Sequence, residues 1–300
     1  MILGLTGAGG FIGARIIEFA VGQGHTVIGF TRTPEKKIPG CSETRRFSLD
    51  EKVDVDGCAG IIHLAGEPVF GIWIKAKRQR IHDSRALGTR HLVDAILAAA
   101  NPPRVLVSSS AIGYYGDTGE TETNEDSPPG HGFLPEVCQA WEREALRARE
   151  KNVRVVLLRT SVVLGPGGAM GVMLPFFNLG LGGKLGSGRQ WMSWIHLDDE
   201  AALALHALQH DDISGPINAI APQPCRNEEF TRALSRVARM PAFLNVPAFV
   251  LKTLLGDFSH ELLDSKRIIS NRLTASGFTH RFPDLDTALA DIAANWNCSK

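Results

Sequence analysis

The sequence predicts an α/β protein, a Rossmann-like, doubly wound parallel sheet with a smaller, mostly helical C-terminal lobe. Three observations predict it. From residue 1 to about residue 164, short apolar runs alternate with amphipathic helical stretches, the pattern of successive βαβ units. A glycine-rich turn, "LTGAGGFIG", joins the first run to the first helical stretch. Beyond Leu164 the strand signals thin out, and glycine-rich loop and helical patterns replace them.

Each element has its own local reason. "MILGL" reads as a buried strand. "FIGARIIEFAVGQG" puts Phe11, Ile12, Ile16, Phe19 and Ala20 near helical spacing, with Gly22 and Gly24 as stop signals. "HTVIGFTR" is the second strand, "RRFSL" a weaker third and "GIIHLAG" the fourth. "RIHDSRALGTRHLVDAILAAA" is a long amphipathic helix ended by Asn101, Pro102 and Pro103. "RVLVSSS" is the fifth strand, and "VRVVLLRTSVVLG" the sixth. Between them lies the helix "EVCQAWEREALRAREKN", whose apolar face is Val137, Trp141, Ala145 and Leu146. Right-handed crossovers then place helices on both faces of the sheet.

The second half carries a short helix from Met170 to Leu179 and the helix "LDDEAALALHALQH", with Asp198 as its expected N-cap. "GPINAIAP" is a short strand, and "RNEEFTRALSRVA" a helix capped by Asn227. "PAFVLKTLLGD" and "DLDTALADIAANW" are two further helices. The expected organisation is a nucleotide-binding domain over residues 1–164, with 193–212 packing back on it. Residues 165–192 and 213–300 then form the smaller lobe.

Composition narrows the function. With 300 residues, 44% of them apolar, the chain can bury a sizeable core. Thirty-two basic residues balance 32 acidic ones, so there is no electrostatic case for a nucleic-acid partner. No run of about eighteen apolar residues predicts a membrane span. The start lacks a charged segment ahead of its first strand, so no signal peptide is expected. Five scattered cysteines without a C-x-x-C pair suit reduced thiols in a cytoplasm rather than disulfides or a metal site. The expected partner is a small molecule, and a monomer and a homodimer are both open.

The glycine turn runs Gly7-x-x-Gly10-x-x-Gly13, with Gly9 as an extra glycine. A strand, a tight turn and a helix opening at Phe11 and Ile12 present backbone N–H groups and a helix N-terminus to a phosphate. An ordinary tight turn is the alternative, but the second strand, ending at Phe30, supplies the context of a dinucleotide site. After that strand stand Thr31, Arg32 and Thr33, with Lys36 and Lys37 close by and no carboxylate to take ribose hydroxyls. A guanidinium binds a 2′-phosphate bidentately, so NADP(H) is the expected cofactor unless Arg32 is only a solvated surface charge. Leu64, Ala65 and Gly66 end the fourth strand with room for a flat ligand, and Ser108 and Ser109 end the fifth. His63 reads as a packed histidine.

"TGAGGFIG", "HLAG", "VSSS" and "WIHLDD" together resemble the extended short-chain dehydrogenase/reductase superfamily, in its sugar-nucleotide epimerase branch, over nearly the whole chain. "DSRALGT", "GYYG", "EDSPPG" and "LGSGRQWMSWIH" more narrowly resemble its atypical SulA-like group of epimerase-family proteins, NADPH binders with no assigned substrate. The resemblance implies a catalytic serine, matched by Ser110, and a Tyr-x-x-x-Lys pair. That tyrosine moves the substrate proton, while the lysine lowers its pKa and holds the nicotinamide ribose. Aligning on Glu142 puts Leu134 at the tyrosine position and Cys138 at the lysine position. Leucine transfers no proton, and Cys138, beside Val137 and Ala140, reads as a small core residue.

Substitutes are present. Tyr114 and Tyr115 are the only tyrosines in the chain, either proton carriers or a pocket wall. Glu67 is a further proton carrier or a solvated loop residue. Arg85 stands where such proteins often carry a structural asparagine, which points to an anionic partner or to an ion pair with Glu67. Arg189 and Trp191 in "GSGRQW" suit an anionic or flat substrate, or form an exposed loop pair. The expected function is an NADP(H)-dependent oxidoreductase or epimerase-like activity on a small carbonyl or hydroxyl compound. The alternative is a non-catalytic NADP(H)-binding regulator. An enzyme should bring Arg85, Tyr114 and Arg189 into one cavity.

Overall fold

Seven parallel strands form the central sheet in the computed structural model, which describes residues 1–296. Cys298 lies outside the described residues. The chain runs β1 (Ile2–Thr6), α1 (Phe11–Gly22), β2 (Thr26–Thr31), β3 (Glu43–Arg46) and β4 (Gly60–His63). It continues through α2 (Lys75–Ala98), β5 (Val105–Ala111), α3 (Phe133–Leu146) and β6 (Arg154–Thr160). Next come β7 (Val162–Leu164), α4 (Gly168–Asn178), β8 (Gly183–Leu185), β9 (Trp191–Met192), β10 (Trp194–His196), α5 (Leu197–Gln209) and β11 (Gly215–Ala219). The remainder holds β12 (Cys225–Arg226), α6 (Asn227–Ala238), β13 (Leu244–Val246), α7 (Ala248–Leu255), α8 (Ser259–Leu263), α9 (Asn271–Ala275) and α10 (Leu285–Asn295).

The strand order is β11-β6-β5-β4-β1-β2-β3, so the chain reverses direction across the sheet between β1 and β4. Such a reversal opens a crevice beyond the carboxyl ends of the strands. The inner strands are covered on both faces. Ile16, Ile17, Leu203 and Ala204 from α1 and α5 pack with Leu3, Leu5, Val107 and Val156 on one side. Leu92, Val93 and Ile96 from α2 and Ala145 from α3 pack with Ile61, Leu106 and Leu157 on the other. Burying each such large side chain contributes about 1.5–3 kcal/mol. A separate apolar cluster joins α4, α6 and α10 around Trp194.

The expected sixth strand is two strands. After Thr160 the chain leaves the sheet, and β7 pairs in parallel with β10 instead. Ser161 marks the break, its hydroxyl donating to the Ala219 carbonyl at 2.8 Å. The segment Gly215–Ala219, expected in the smaller lobe, is the edge strand of the large sheet, paired with β6. Two caps also differ. His196 caps α5, its Nδ1 accepting from the Asp198 N–H at 3.1 Å. Asp198 instead bonds Arg15 at 2.7 Å and Arg281 at 3.0 Å. Asn227 is the first residue of α6 rather than its cap, and its side-chain oxygen accepts from the Leu185 N–H at 2.9 Å. No helix among the described residues is long and apolar enough to cross a membrane.

Candidate functional site at the carboxyl ends of the strands

The glycine turn is built for an approaching backbone or ligand. Gly7 adopts φ +69°, a conformation that costs an L-residue strain. A Cβ on Gly13 would collide with the Gly7 carbonyl oxygen, so this glycine lets α1 start directly against the turn. A Cβ on Gly9 would meet no protein atom within 4 Å. Gly10 caps α1 without a side-chain hydrogen bond, and no acidic residue occupies the first turn. The helix therefore presents unsatisfied N–H groups and its positive dipole end to the crevice. The Phe11 ring packs under the loop around Gly165, Gly167 and Gly168, closing one side of the turn. Arg15, one turn later, is already engaged by Asp198.

At the end of β2, Arg32 is exposed, and its guanidinium has no hydrogen bond or ion pair among the described residues. Beside it, Arg46 donates to the Arg32 carbonyl at 3.3 Å and pairs with Glu51 at 3.3 Å. No acidic side chain follows Thr31 before Glu35.

The end of β4 is held by His63. Thr6 Oγ1 accepts from the Leu64 and Ala65 N–H groups, both at 3.1 Å. Its single proton therefore goes to His63 Nδ1 at 2.7 Å, and His63 Nε2–H donates to Thr89 at 3.0 Å. Full burial pushes the His63 pKa down to about 3. It is a neutral structural histidine, and it fixes Leu64 and Ala65 against β1.

Glu67 and Arg85 do not form the ion pair that their sequence positions allow. The Glu67 carboxylate pairs with Lys77 at 2.9 Å and Arg80 at 3.3 Å. The Lys77 hydrogen bond, more than any other group, lowers its pKa. Such an acid carries no proton to donate near neutral pH. Arg85 binds main chain instead: Nη1 donates to the Glu67 carbonyl at 2.9 Å and to the Ile81 carbonyl at 3.3 Å. Its guanidinium lies 5.1 Å from the Trp141 ring centre and against Gly66. No carboxylate pairs with it among the described residues, and burial lowers its pKa.

The end of β5 leads into a buried polar network. Ser110 donates to Glu142 Oε1 at 2.7 Å, and Arg159 grips both Glu142 oxygens at 2.8 Å. Arg159 also donates to the Tyr115 hydroxyl at 2.8 Å, and Tyr115 donates to Asn218 at 2.8 Å. Burial pushes the Tyr115 pKa up to about 12, against the opposing Arg159 charge. Ser110 and Tyr115 are thereby engaged in structure. The Tyr114 ring stacks on Arg159, with 3.6 Å between guanidinium carbon and ring centre, but its hydroxyl is free of hydrogen bonds among the described residues. Ser108 donates to the Ser109 carbonyl at 3.2 Å, whereas the half-exposed Ser109 hydroxyl has no such partner.

A cleft of about 340 Å³ opens beside these groups, between the starts of α2 and α3 and the segment around α8. Trp73, Arg78, His131, Leu134, His260 and Lys266 line it, among others. Leu134, at the expected tyrosine position, therefore faces a cavity. Arg85, Tyr114 and Arg189 do not line it, contrary to expectation. Trp191 is also engaged: its N–H donates to Glu120 at 2.9 Å, and Arg226 and Arg267 stack on its ring at 4.1 and 5.0 Å. Arg189 is exposed at the neighbouring loop. Two residues carry chemistry that no local pattern announces. Lys266 has a side chain only 8% exposed and pairs with Glu261 at 3.0 Å. Glu200 is buried, with Oε1 accepting from Thr160 at 2.7 Å and Oε2 unpartnered among the described residues. Cys138 is buried, and desolvation pushes its thiol up to about 12. Among the described residues no cluster of three or more His, Cys, Asp or Glu side chains is arranged for a metal ion.

Comparison with known proteins agrees with this arrangement. Residues 3–219 match the family model "NAD dependent epimerase/dehydratase family", and residues 246–292 match a domain of unknown function, DUF1731. The chain is 38% identical to the chloroplastic epimerase family protein SDR39U1 homolog of Arabidopsis thaliana, covering 97% of this chain and 86% of that one. It is 32% identical to the epimerase family protein YfhF of Bacillus subtilis, covering 98% and 99%. A crystal structure of human epimerase family protein SDR39U1 (isoform 2) with NADPH superposes with a TM-score of 0.90 at 32% identity, covering 98% of this chain and 100% of that one. With strand order, glycine turn and full-length relatives in agreement, this chain belongs to the NAD-dependent epimerase/dehydratase family.

Proposed function

We propose that the protein binds NADP(H) along the carboxyl ends of β2, β1, β4 and β5 and acts as an oxidoreductase or epimerase-like enzyme on a small carbonyl or hydroxyl compound. The residues fit the cofactor. Gly7, Gly9 and Gly10, with the N–H groups of Phe11, Ile12 and Gly13, receive the pyrophosphate. The space at Gly9 is what a phosphate needs. Thr31 and Arg32 receive the 2′-phosphate, since Arg32 is uncommitted and no carboxylate opposes it. Leu64, Ala65 and Gly66 on one side and Ser108 and Ser109 on the other floor the nicotinamide half. The NADPH in the human relative supports this assignment.

The cofactor, when bound, supplies or accepts the hydride. The 340 Å³ cleft carries the catalytic reading, because a protein that only sensed the cofactor needs no second cavity lined by His131, His260 and Lys266. In this reading His131, His260 and Lys266 of the cleft lining hold the substrate oxygen and its proton, and Ser109 and Tyr114, whose hydroxyls are uncommitted, stand outside that lining. Ser110 positions the network behind them, and Arg189 serves the substrate entrance. The regulatory reading keeps two specific supports, Leu134 and Cys138 in place of a proton relay and a cleft that Arg85, Tyr114 and Arg189 do not line. Deuterium transfer from [4-²H]NADPH to a panel of small aldehydes, 2-oxo acids and sugar ketones tests the choice. Label in any product supports the enzyme, and tight NADPH binding without label in any product supports the regulator.

A further inference from the structure

We infer that the cleft takes an uncharged carbonyl or hydroxyl compound with an apolar tail, the head inside and the tail leaving over the loop at Phe70–Ile74. This rests on the enzyme reading above and deepens it by naming the class of substrate.

The cleft has no positive charge to spare for an anion. Arg78, His260 and Lys266 line it, and so do Asp257, Asp264 and Glu261. Each basic group has its own acid among them: Arg78 on Asp257, His260 on Asp264 at 3.1 Å and Lys266 on Glu261 at 3.0 Å. The two fixed cations, Arg78 and Lys266, thus face three carboxylates. A phosphate or pyrophosphate entering here would have to break these pairs and would meet like charge. An uncharged oxygen asks only for a donor. The Lys266 ammonium has N–H groups beyond the one that it gives to Glu261.

The rest of the wall is apolar, and it continues to the surface. Leu134, at the position expected of a tyrosine, stands in the lining with Trp73 and Phe133. The Trp73 ring meets Phe133 at 5.3 Å and Phe258 at 5.7 Å, and Phe258 meets Phe70 at 5.4 Å. These rings form an unbroken row from the cleft wall outward. At its outer end Phe70, Ile72 and Ile74 are 59%, 60% and 63% exposed, on either side of buried Trp73. Single exposed apolar residues need no explanation, but a cluster at the mouth of a cleft marks a binding surface. The loop is also held in place, because the Trp73 indole N–H donates to the Val69 carbonyl at 2.6 Å. From α7, Leu255 packs on the same cluster and leaves its neighbour Leu254 exposed. Continuity with the cleft makes the substrate tail the occupant of this rim.

The test is equilibrium binding to the protein saturated with NADPH, using primary alcohols, which NADPH does not reduce. Hexan-1-ol, octan-1-ol and decan-1-ol share a head and differ in tail. A methylene taken fully from water contributes about fourfold, so over a rim that covers one side decan-1-ol should bind at least about tenfold tighter than hexan-1-ol. Octyl phosphate, with the same tail as octan-1-ol, should bind at least about tenfold more weakly than it. UDP-glucose should not displace octan-1-ol. Phe70→Ser combined with Ile72→Ser should cut the gain from hexan-1-ol to decan-1-ol below about threefold. Val21→Ser, at an exposed apolar position on α1, should keep that gain. Retained NADPH binding shows that the double variant is folded. Equal affinity for the three alcohols, tighter binding of octyl phosphate, or a full gain in the double variant overturns the inference. So does a rim that pairs two chains, seen as a concentration-dependent mass in sedimentation that the double variant abolishes. None of these readouts needs turnover. Suppose deuterium from NADPH reaches a sugar ketone or a 2-oxo acid while the alcohols bind without regard to length. This inference then falls and the enzyme reading stands. If the alcohols bind as expected and no product is labelled, the enzyme reading falls and the ligand class stands.

Discussion

Glu200 is a carboxyl group with almost no environment for its charge. It is 1% exposed, one oxygen accepts from Thr160, and the other has no partner among the described residues. Desolvation raises its pKa from 4.5 to about 7, with the Thr160 bond opposing only in part. A raised folded-state pKa means the folded chain holds a proton that the unfolded chain has released. Stability from this group is therefore complete below about pH 4.5 and falls as the pH rises to about 7. At 1.36 kcal/mol per unit the loss is about 3 kcal/mol. Glu200→Gln should be more stable than the parent by about 2–3 kcal/mol at pH 8 and nearly equal to it at pH 4.5. Urea unfolding at the two pH values measures this, and a parallel pH dependence in both proteins would refute it. Cys138 is the opposite case, a residue whose inertness follows from its neighbours. With its thiol pushed up to about 12, it should resist iodoacetamide at neutral pH in the folded protein and react on unfolding. Cys138→Ala should leave NADPH affinity within about threefold. Rapid alkylation that NADPH blocks would show a reactive thiol instead.

At the scale of elements, β5, β6 and α3 are tied by charges as much as by packing. Arg159 and Glu142 are each buried and bonded at 2.8 Å through two nitrogens. Removing one partner strands the other without a counter-ion, so Arg159→Met should cost about 3–5 kcal/mol in chemical denaturation. Arg159→Met combined with Glu142→Leu should cost far less. Equal losses would show that packing alone is at stake. An arginine inside the apolar run "VRVVLLRTSVVLG" hinted at such a network, but its partners Tyr115 and Asn218 are too remote in sequence to pair by pattern. The elements themselves were mostly legible, because buried parallel strands are short apolar runs and their helices show a clear stripe. What local pattern could not show was where a strand goes. β6 and β7 read as one run, since the exit from the sheet depends on Ser161 bonding Ala219, 58 residues away. The edge position of β11 is likewise a long-range pairing.

At the scale of the whole molecule, the crevice lies where the strand order reverses, and the residues at its rim divide by partner. The glycine turn, Thr31, Arg32 and Leu64–Gly66 were legible because backbone geometry and side-chain size at strand ends are local properties. Ser110 reads as the catalytic serine, and Tyr115 and Glu67 as candidate proton carriers, and the fold commits all three to protein partners. Trp191 is likewise committed, with Arg226 and Arg267 against its ring and its indole N–H on Glu120. Lys266 enters the cleft from a segment roughly 130 residues beyond Leu134, where no spacing rule reaches. The central claim is that the uncommitted Arg32, with no carboxylate after β2, selects the phosphorylated cofactor. Equilibrium titration of the unaltered protein and of Arg32→Ala with NADPH and NADH tests it most directly. The account predicts NADPH binding at least about tenfold tighter, about 1.4 kcal/mol, with most of that gap erased in the variant. Equal affinities for the two cofactors in the unaltered protein would contradict it.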